Sequence, residues 1–185
     1  MSEAVAFQKE TISIADYLDG EPFALERHEY ANGQVFAMAG ASEDHETVAG
    51  NLFVHLHLHT KGKGCRVFKG DMKLRLSLNE ADLFYYPDIM VTCDPRDTDP
   101  IFKKHPKVLI EVMSDYNKDH VEKLFAYQQI ETLQEYLIID QDPTEKKAWL
   151  YRRETNWAKE EGAPDGVVSL APLDFSIPLA ELYEV

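Results

Sequence analysis

Cysteine is nearly absent from this chain: Cys65 and Cys93 are the only two in 185 residues. Two are too few for the disulfide framework of a small secreted domain, and their spacing is not that of a zinc knuckle, so both read as reduced core residues. Long apolar runs are missing too. No stretch approaches the roughly 20 residues of a membrane span, and the opening residues Met1 to Glu10 lack the basic and apolar regions of a signal peptide. These absences predict a soluble, cytoplasmic protein with no membrane partner. Positive charge is scarce as well, with 19 Lys and Arg against 33 Asp and Glu and a net charge of −14. Such a balance argues against nonspecific attraction to nucleic acid, which normally draws on a basic surface. No repeats or low-complexity tracts are present.

What is there is enough apolar sequence, 44% of residues, for one core of normal size, and the whole chain 1–185 reads as a single domain. The net charge hides a segregation. Residues 1–60 hold only Lys9 and Arg27 against ten acids, whereas 61–75 carry Lys61, Lys63, Arg66, Lys69, Lys73 and Arg75 against Asp71 alone. Lys146, Lys147, Arg152 and Arg153 form a second basic cluster. The two clusters read either as a local phosphate-facing surface on an acidic body or as solvated strand edges and hairpin tips.

Along the chain, Ser13 followed by Ile14, Tyr17 and Leu18 predicts a short capped helix ended by Asp19-Gly20. Asn32-Gly33, flanked by His28 to Ala31 and Gln34 to Met38, predicts a hairpin with a type I′ turn. Glu43, Asp44 and Glu46 favour a helix start. Val48, Leu52 and Leu56 continue at helical spacing, although Val54 to His59 alternates like a strand; length favours helix. Alternation of Met72, Leu74, Leu76 and Leu78 predicts a half-buried strand, and Phe84 to Cys93 a second, with Pro87 near its start or at an edge. Val108 to Met113 is apolar on both faces except at Glu111, as in a covered sheet. A helix follows over about 117–130, with Val121, Leu124 and Phe125 as its apolar stripe. Strands resume at Gln134 to Asp140 and Lys147 to Arg152, and loop plus a strand or helical turn is expected from Glu160 onward. The order predicts an α/β (α+β) fold, a mixed central sheet flanked by helices with an N-terminal hairpin extension.

Asp88 and Glu111 interrupt segments that otherwise read as buried strand. A carboxylate removed from water is costly unless it is paired, hydrogen-bonded or bound to a cation. If the two strands are neighbours, both acids converge on one ion, and Mg²⁺ characteristically takes one or two protein carboxylates and leaves room for water and substrate phosphate. That chemistry suffices for metal-assisted hydrolysis of a phosphodiester. Lys123, early on the following helix, is placed to reach back and stabilise the phosphorus transition state. Asp119, Lys123 and Tyr127 share a helix face, so the competing reading is an ordinary Asp119–Lys123 surface pair. The acids themselves could be structural, tied to backbone amides or arginines.

These residues resemble the Uma2 family. The resemblance rests on Glu29 to Gly33, Ser42 with His45, Tyr86-Pro87-Asp88-Ile89-Met90-Val91, Ile110-Glu111-Val112-Met113-Ser114, Asp119 with Lys123 and Tyr127, and Glu135-Tyr136 with Asp140, in matching order over about residues 11–152. It implies a restriction-endonuclease-like fold of the PD-(D/E)XK superfamily and a Mg²⁺-dependent nuclease acting on DNA, with Mn²⁺ as a substitute ion and a homodimer as the assembly. Asp88 and Glu111 would be the metal ligands, Lys123 the catalytic lysine and Glu29 an additional acid. Where the superfamily carries a lysine two places after the glutamate, this chain has Met113; the resemblance puts that lysine on the helix, at Lys123. A noncatalytic module with the same fold, binding nucleic acid or a protein partner, is the alternative.

His45, Lys73 and Tyr127 are further candidate substrate contacts, with a structural histidine the equal alternative at position 45. His45-Glu46 does not extend to a zincin motif, because Ala49 stands where the second histidine is required. His55 and His59 share a helix face and read as either a weak zinc candidate or an exposed polar face, with His57 on another side. Phe84, Tyr85 and Tyr86 could stack bases, or simply fill a core strand.

Overall fold

The computed structural model of the protein describes residues 11–78, 81–113 and 118–185, with side chains from 122 onward in the last stretch. Ser114 of the quoted motif and the side chains of Asp119 and Val121 therefore lie outside the described residues.

The chain opens with helix α1 (Ile14–Gly20), capped by Ser13, whose Oγ accepts the backbone N–H of Asp16. Strands β1 (His28–Ala31) and β2 (Gln34–Ala37) form the expected hairpin, with Asn32 and Gly33 at φ of 46° and 88°, the left-handed pair that a type I′ turn requires. Helix α2 (Glu43–Thr60) is the long element whose alternation was ambiguous. Ser42 caps it by accepting the N–H of His45 at 3.2 Å, and Val48, Leu52 and Leu56 turn inward. Burial of that stripe settles helix over strand, because only helical spacing puts all three on one side.

The strands fall into two main sheets and a ribbon. Strands β3 (Arg66–Lys69), β4 (Lys73–Leu78), β5 (Ala81–Tyr85), β6 (Ile89–Thr92), β7 (Phe102–Lys103) and β8 (Pro106–Met113) precede helix α3 (Lys118–Gln128); β9 (Glu135–Asp140), β10 (Ala148–Arg152) and β11 (Lys159–Glu161) follow it. One sheet runs β2-β1-β5-β4-β7, the other β11-β10-β9-β8-β6-β3. The second is mixed: β8 and β9 are parallel and the remaining neighbours antiparallel. A ribbon of β12 (Val167–Leu170) and β13 (Phe175–Pro178), with short 3₁₀ turns beside it, completes the C-terminus.

The single strand expected over Phe84 to Cys93 is two strands in different sheets. Pro87 has no N–H to donate and Tyr86-Pro87-Asp88 passes from one sheet to the other, so the break falls at the proline and Asp88 stands just before β6. Two hydrophobic layers sandwich the mixed sheet. Ile89, Val91, Val108, Ile110 and Val112 pack under α2 and the C-terminal ribbon, whereas Leu109, Tyr136 and Ile138 pack under α3 with Leu74 and Leu76. Strand β8 contributes to both layers, which is why it reads as nearly continuous apolar sequence. On α3 the buried side is formed by Ala126 and Tyr127, and Phe125 is exposed, contrary to the predicted stripe. The expectation of reduced cysteines also fails. The β3/β6 register pairs Arg66 with Thr92, so the next residues outward, Cys65 and Cys93, meet and form a disulfide.

Candidate active site

Asp88 reaches its position because it immediately precedes β6, where the chain enters the mixed sheet. Its Oδ2 accepts the backbone N–H of Val112 at 2.8 Å, beyond the last β6 pair with β8, and lies 3.1 Å from Nε2 of His45. The hydrogen bond to Asp88 lifts the His45 pKa above its ordinary value, against the opposing effect of burial. His45 Nδ1 is buried and makes no hydrogen bond among the described residues. The α2 cap ties into the same place, since Ser42 Oγ donates to Oε1 of Gln141 at 3.1 Å.

Glu111 comes from β8, which is covered on both faces, and points to the α3 side of the sheet. Tyr127 Oη donates to its Oε1 at 3.0 Å, and Nζ of Lys123 lies 3.5 Å from the same oxygen. Burial pushes the Glu111 carboxyl up to about 7; Lys123 opposes the rise, while the negative charges of Asp88 and Glu29 add to it. Lys123 stands between two acids, with Nζ also 2.9 Å from Oε1 of Glu29 on β1. Burial would lower its pKa, but Glu111 and Glu29 outweigh that and hold the ammonium well above its ordinary range. The ring of Tyr85 lies 5.5 Å from the ammonium and completes its wall.

Asp88, Glu111, Lys123 and His45 thus line one cavity of about 350 Å³, with Glu29 touching Lys123 from the neighbouring sheet. Two other expected contacts lie elsewhere. Tyr127 is completely buried, so it anchors Glu111 and presents nothing to a substrate. Lys73 does not line this cavity; it sits 5.1 Å from the Tyr86 ring in an adjoining hollow with Glu21. The histidine run is structural in part: His59 Nε2 contacts the Leu173 carbonyl at 2.9 Å and His57 stacks on Phe53. Phe84 is buried among Tyr17, Tyr30 and Phe102, where it cannot stack on a base.

Sequence reasoning missed Arg27 and Gln141, which also line the cavity. Arg27 carried a usable signal as one of only two bases in the first 60 residues. Gln141 carried none, because its place depends on β9 ending beside β8, where its N–H reaches the Met113 carbonyl at 2.7 Å.

Among the described residues no three His, Cys, Asp or Glu side chains form a complete metal cage. A Mg²⁺ ion does not need one, since it keeps several waters and binds through one or two carboxylates. The donor chemistry fits such an ion. Asp88, Glu111 and Glu29 bring three acids to Lys123 and His45, and a carboxyl raised by burial, with acidic neighbours adding to the rise, is one that a hard cation would stabilise. Met113, a soft thioether lining the same cavity, contributes no ligand to Mg²⁺.

The crystal structure of a putative nuclease belonging to DUF820 from Anabaena variabilis superposes with a TM-score of 0.68, covering 90% of this chain and 96% of that one at 20% identity, and so shares the fold. Two proteins of Synechocystis sp. are similar in sequence. The uncharacterized protein sll1609 is 34% identical over 135 residues, 70% of this chain and 75% of its own, and slr1290 is 30% identical over 151 residues, 79% and 77%. The family model described as "Putative restriction endonuclease" matches residues 14–180, and the chain belongs to that family, Uma2.

Proposed function

We propose that the protein is a Mg²⁺-dependent endonuclease that hydrolyses DNA phosphodiester bonds, with Asp88 and Glu111 as the metal ligands and Lys123 as the electrostatic catalyst. The observation that carries this reading is Glu111: its buried Oε1 meets Tyr127 Oη at 3.0 Å and Lys123 Nζ at 3.5 Å, and burial, with Asp88 and Glu29 adding to it, pushes its carboxyl up to about 7. When bound, Mg²⁺ would activate a water and neutralise charge developing on the phosphate.

The remaining roles belong to the chain's own residues. Lys123 is fixed by Glu29 and Tyr85, so its charge is already aimed when substrate arrives and little reorganisation is needed. Tyr127 holds Glu111 in its rotamer, and Val112 N–H holds Asp88. His45, whose Nε2 lies 3.1 Å from Asp88 Oδ2 at the cavity wall, would hold that carboxylate in position. A homodimer would let two such sites meet a duplex, and a cytoplasmic location belongs to the same proposal.

Incubation of supercoiled and single-stranded DNA with the protein and Mg²⁺ or Mn²⁺ tests it. Cleavage is expected, and it should vanish with chelator, in Asp88→Ala and in Glu111→Ala. The net charge of −14 favours the second reading, a noncatalytic module of the same fold. Binding without cleavage under every metal would select it.

A further inference from the structure

We propose a second nucleic-acid contact outside the carboxylate cluster: a ledge of Lys146, Lys147 and Lys159 around Trp149 that grips the sugar–phosphate backbone a few nucleotides from the scissile bond. The proposal rests on the nuclease reading above. Its basis is register. Glu111 pairs with Ile138 across β8 and β9, Ile138 with Trp149 across β9 and β10, and residues directly opposite share a face of the sheet. Trp149 therefore stands two strands from Glu111 on the same face, about 10 Å away at the usual inter-strand spacing. With about 3.4 Å of axis per nucleotide in a duplex strand, that distance is roughly three nucleotide steps.

The ledge is built for such a contact. Lys146, Lys147, Trp149 and Lys159 line an open hollow of about 410 Å³ with Ala148, Ala163 and Leu179. Lys159 Nζ lies 5.0 Å from the Trp149 ring and Lys146 Nζ 5.8 Å from the Tyr183 ring, so both cations are braced against aromatic walls. The turn itself is locked: Asp142 accepts the N–H and the hydroxyl of Thr144, and Tyr183 Oη donates to the Asp140 carbonyl. Three acids are close. Glu160 is bound by Arg152 and Glu145 by Lys147, leaving Glu161 across from Trp149. No carboxylate among the described residues lies within ion-pair distance of Lys146. Half-buried Trp149 among lysines is a combination by which single strands are held, a base taking the place of Lys159 over the ring while the cations meet the phosphates. In the basic segment 61–75, Lys69 is engaged by Glu46, Arg75 by Asp82 and Arg66 by the Asp97 carbonyl.

Trp149 and Trp157 are the only tryptophans, so Trp157→Phe makes emission report Trp149 alone. A labelled single-stranded oligonucleotide is titrated into this variant with Ca²⁺ replacing Mg²⁺, following emission and anisotropy. Quenching of Trp149 is expected. In the otherwise native protein, Lys146→Ala with Lys159→Ala, both exposed positions, should weaken binding about tenfold and flatten its salt dependence by about one to two in slope. Under Mg²⁺ the same pair should raise KM and leave kcat near native. Oligonucleotide that binds and is cleaved with Trp149 emission and the lysine pair's affinity unchanged overturns the ledge and leaves the nuclease reading standing. Oligonucleotide that neither binds nor is cleaved overturns both.

Discussion

Replacing Glu111 with glutamine should stabilise the metal-free protein above neutral pH and abolish its response to Mn²⁺. The folded state holds the Glu111 proton up to about pH 7, against 4.5 ordinarily. An acid whose folded-state pKa is raised binds its proton more tightly folded than unfolded, so folding loses stability as pH climbs through that window. At about 1.4 kcal/mol per unit, the whole shift corresponds to about 3 kcal/mol, complete above pH 7. Glutamine removes the charge and keeps an oxygen for Tyr127 Oη. It also takes one anionic partner from Lys123, which retains Glu29 at 2.9 Å. That loss offsets part of the gain, and a net stabilisation of about 1–2 kcal/mol is expected, or roughly 2–8 °C in Tm for a chain of this length.

Calorimetric melts of both proteins in chelator, at about pH 5 and about pH 8.5, give the comparison, because the difference should be present only on the alkaline side. Excess Mn²⁺ should then raise the native Tm by ligand linkage and leave the variant unmoved. A glutamine variant less stable than the native protein by the same margin at both pH values would refute the reasoning: Glu111 would be a structural acid satisfied by Tyr127 and Lys123, with no vacancy for a cation.

Lys123→Met should lower cleavage by about 10²–10³-fold while Mn²⁺ binding, measured by titration calorimetry, survives; unchanged cleavage would remove the lysine from the mechanism. Adding Met113→Lys to that variant should restore part of the activity, since position 113 lines the same cavity, and assays of the double variant under Mn²⁺ decide it. Loss of the Cys65–Cys93 bridge, through Cys65→Ser with Cys93→Ser or through reductant, removes a closure spanning 28 residues and should cost about 3–4 kcal/mol in denaturant unfolding; equal stability of the oxidised and reduced protein would count against the bridge.

The acids were legible because burial makes an anomaly of them: a carboxylate inside Val108 to Met113 has no ordinary reason to be there, and neighbouring strands follow from the apolar pattern. Lys123 was legible only beside the two acids, since its spacing from Asp119 alone equally describes a surface pair. The disulfide, the sheet switch at Pro87 and the exposure of Phe125 were not legible. Each depends on which strand or helix face lies opposite, a register fact that no local window contains. Gln141 and the ledge belong to the same class: they exist because β8 and β9 are parallel and end together beside the start of β10.

An acidic nuclease is a contradiction only if charge is averaged over the molecule. Screening confines an exposed charge to about 8–10 Å at physiological ionic strength, so a phosphate at the ledge answers to Lys146, Lys147 and Lys159 and to Glu145, Glu160 and Glu161 beside them more than to the net charge of −14. At low salt the range lengthens and the distant acids repel the strand, while the local contacts strengthen. Binding should therefore depend on salt less steeply than the lysines alone would give, with a slope near that of one or two phosphates. Low net affinity would follow from the same arithmetic, and under the proposed function it would leave selection of the cut site to the cavity of Asp88, Glu111 and Lys123.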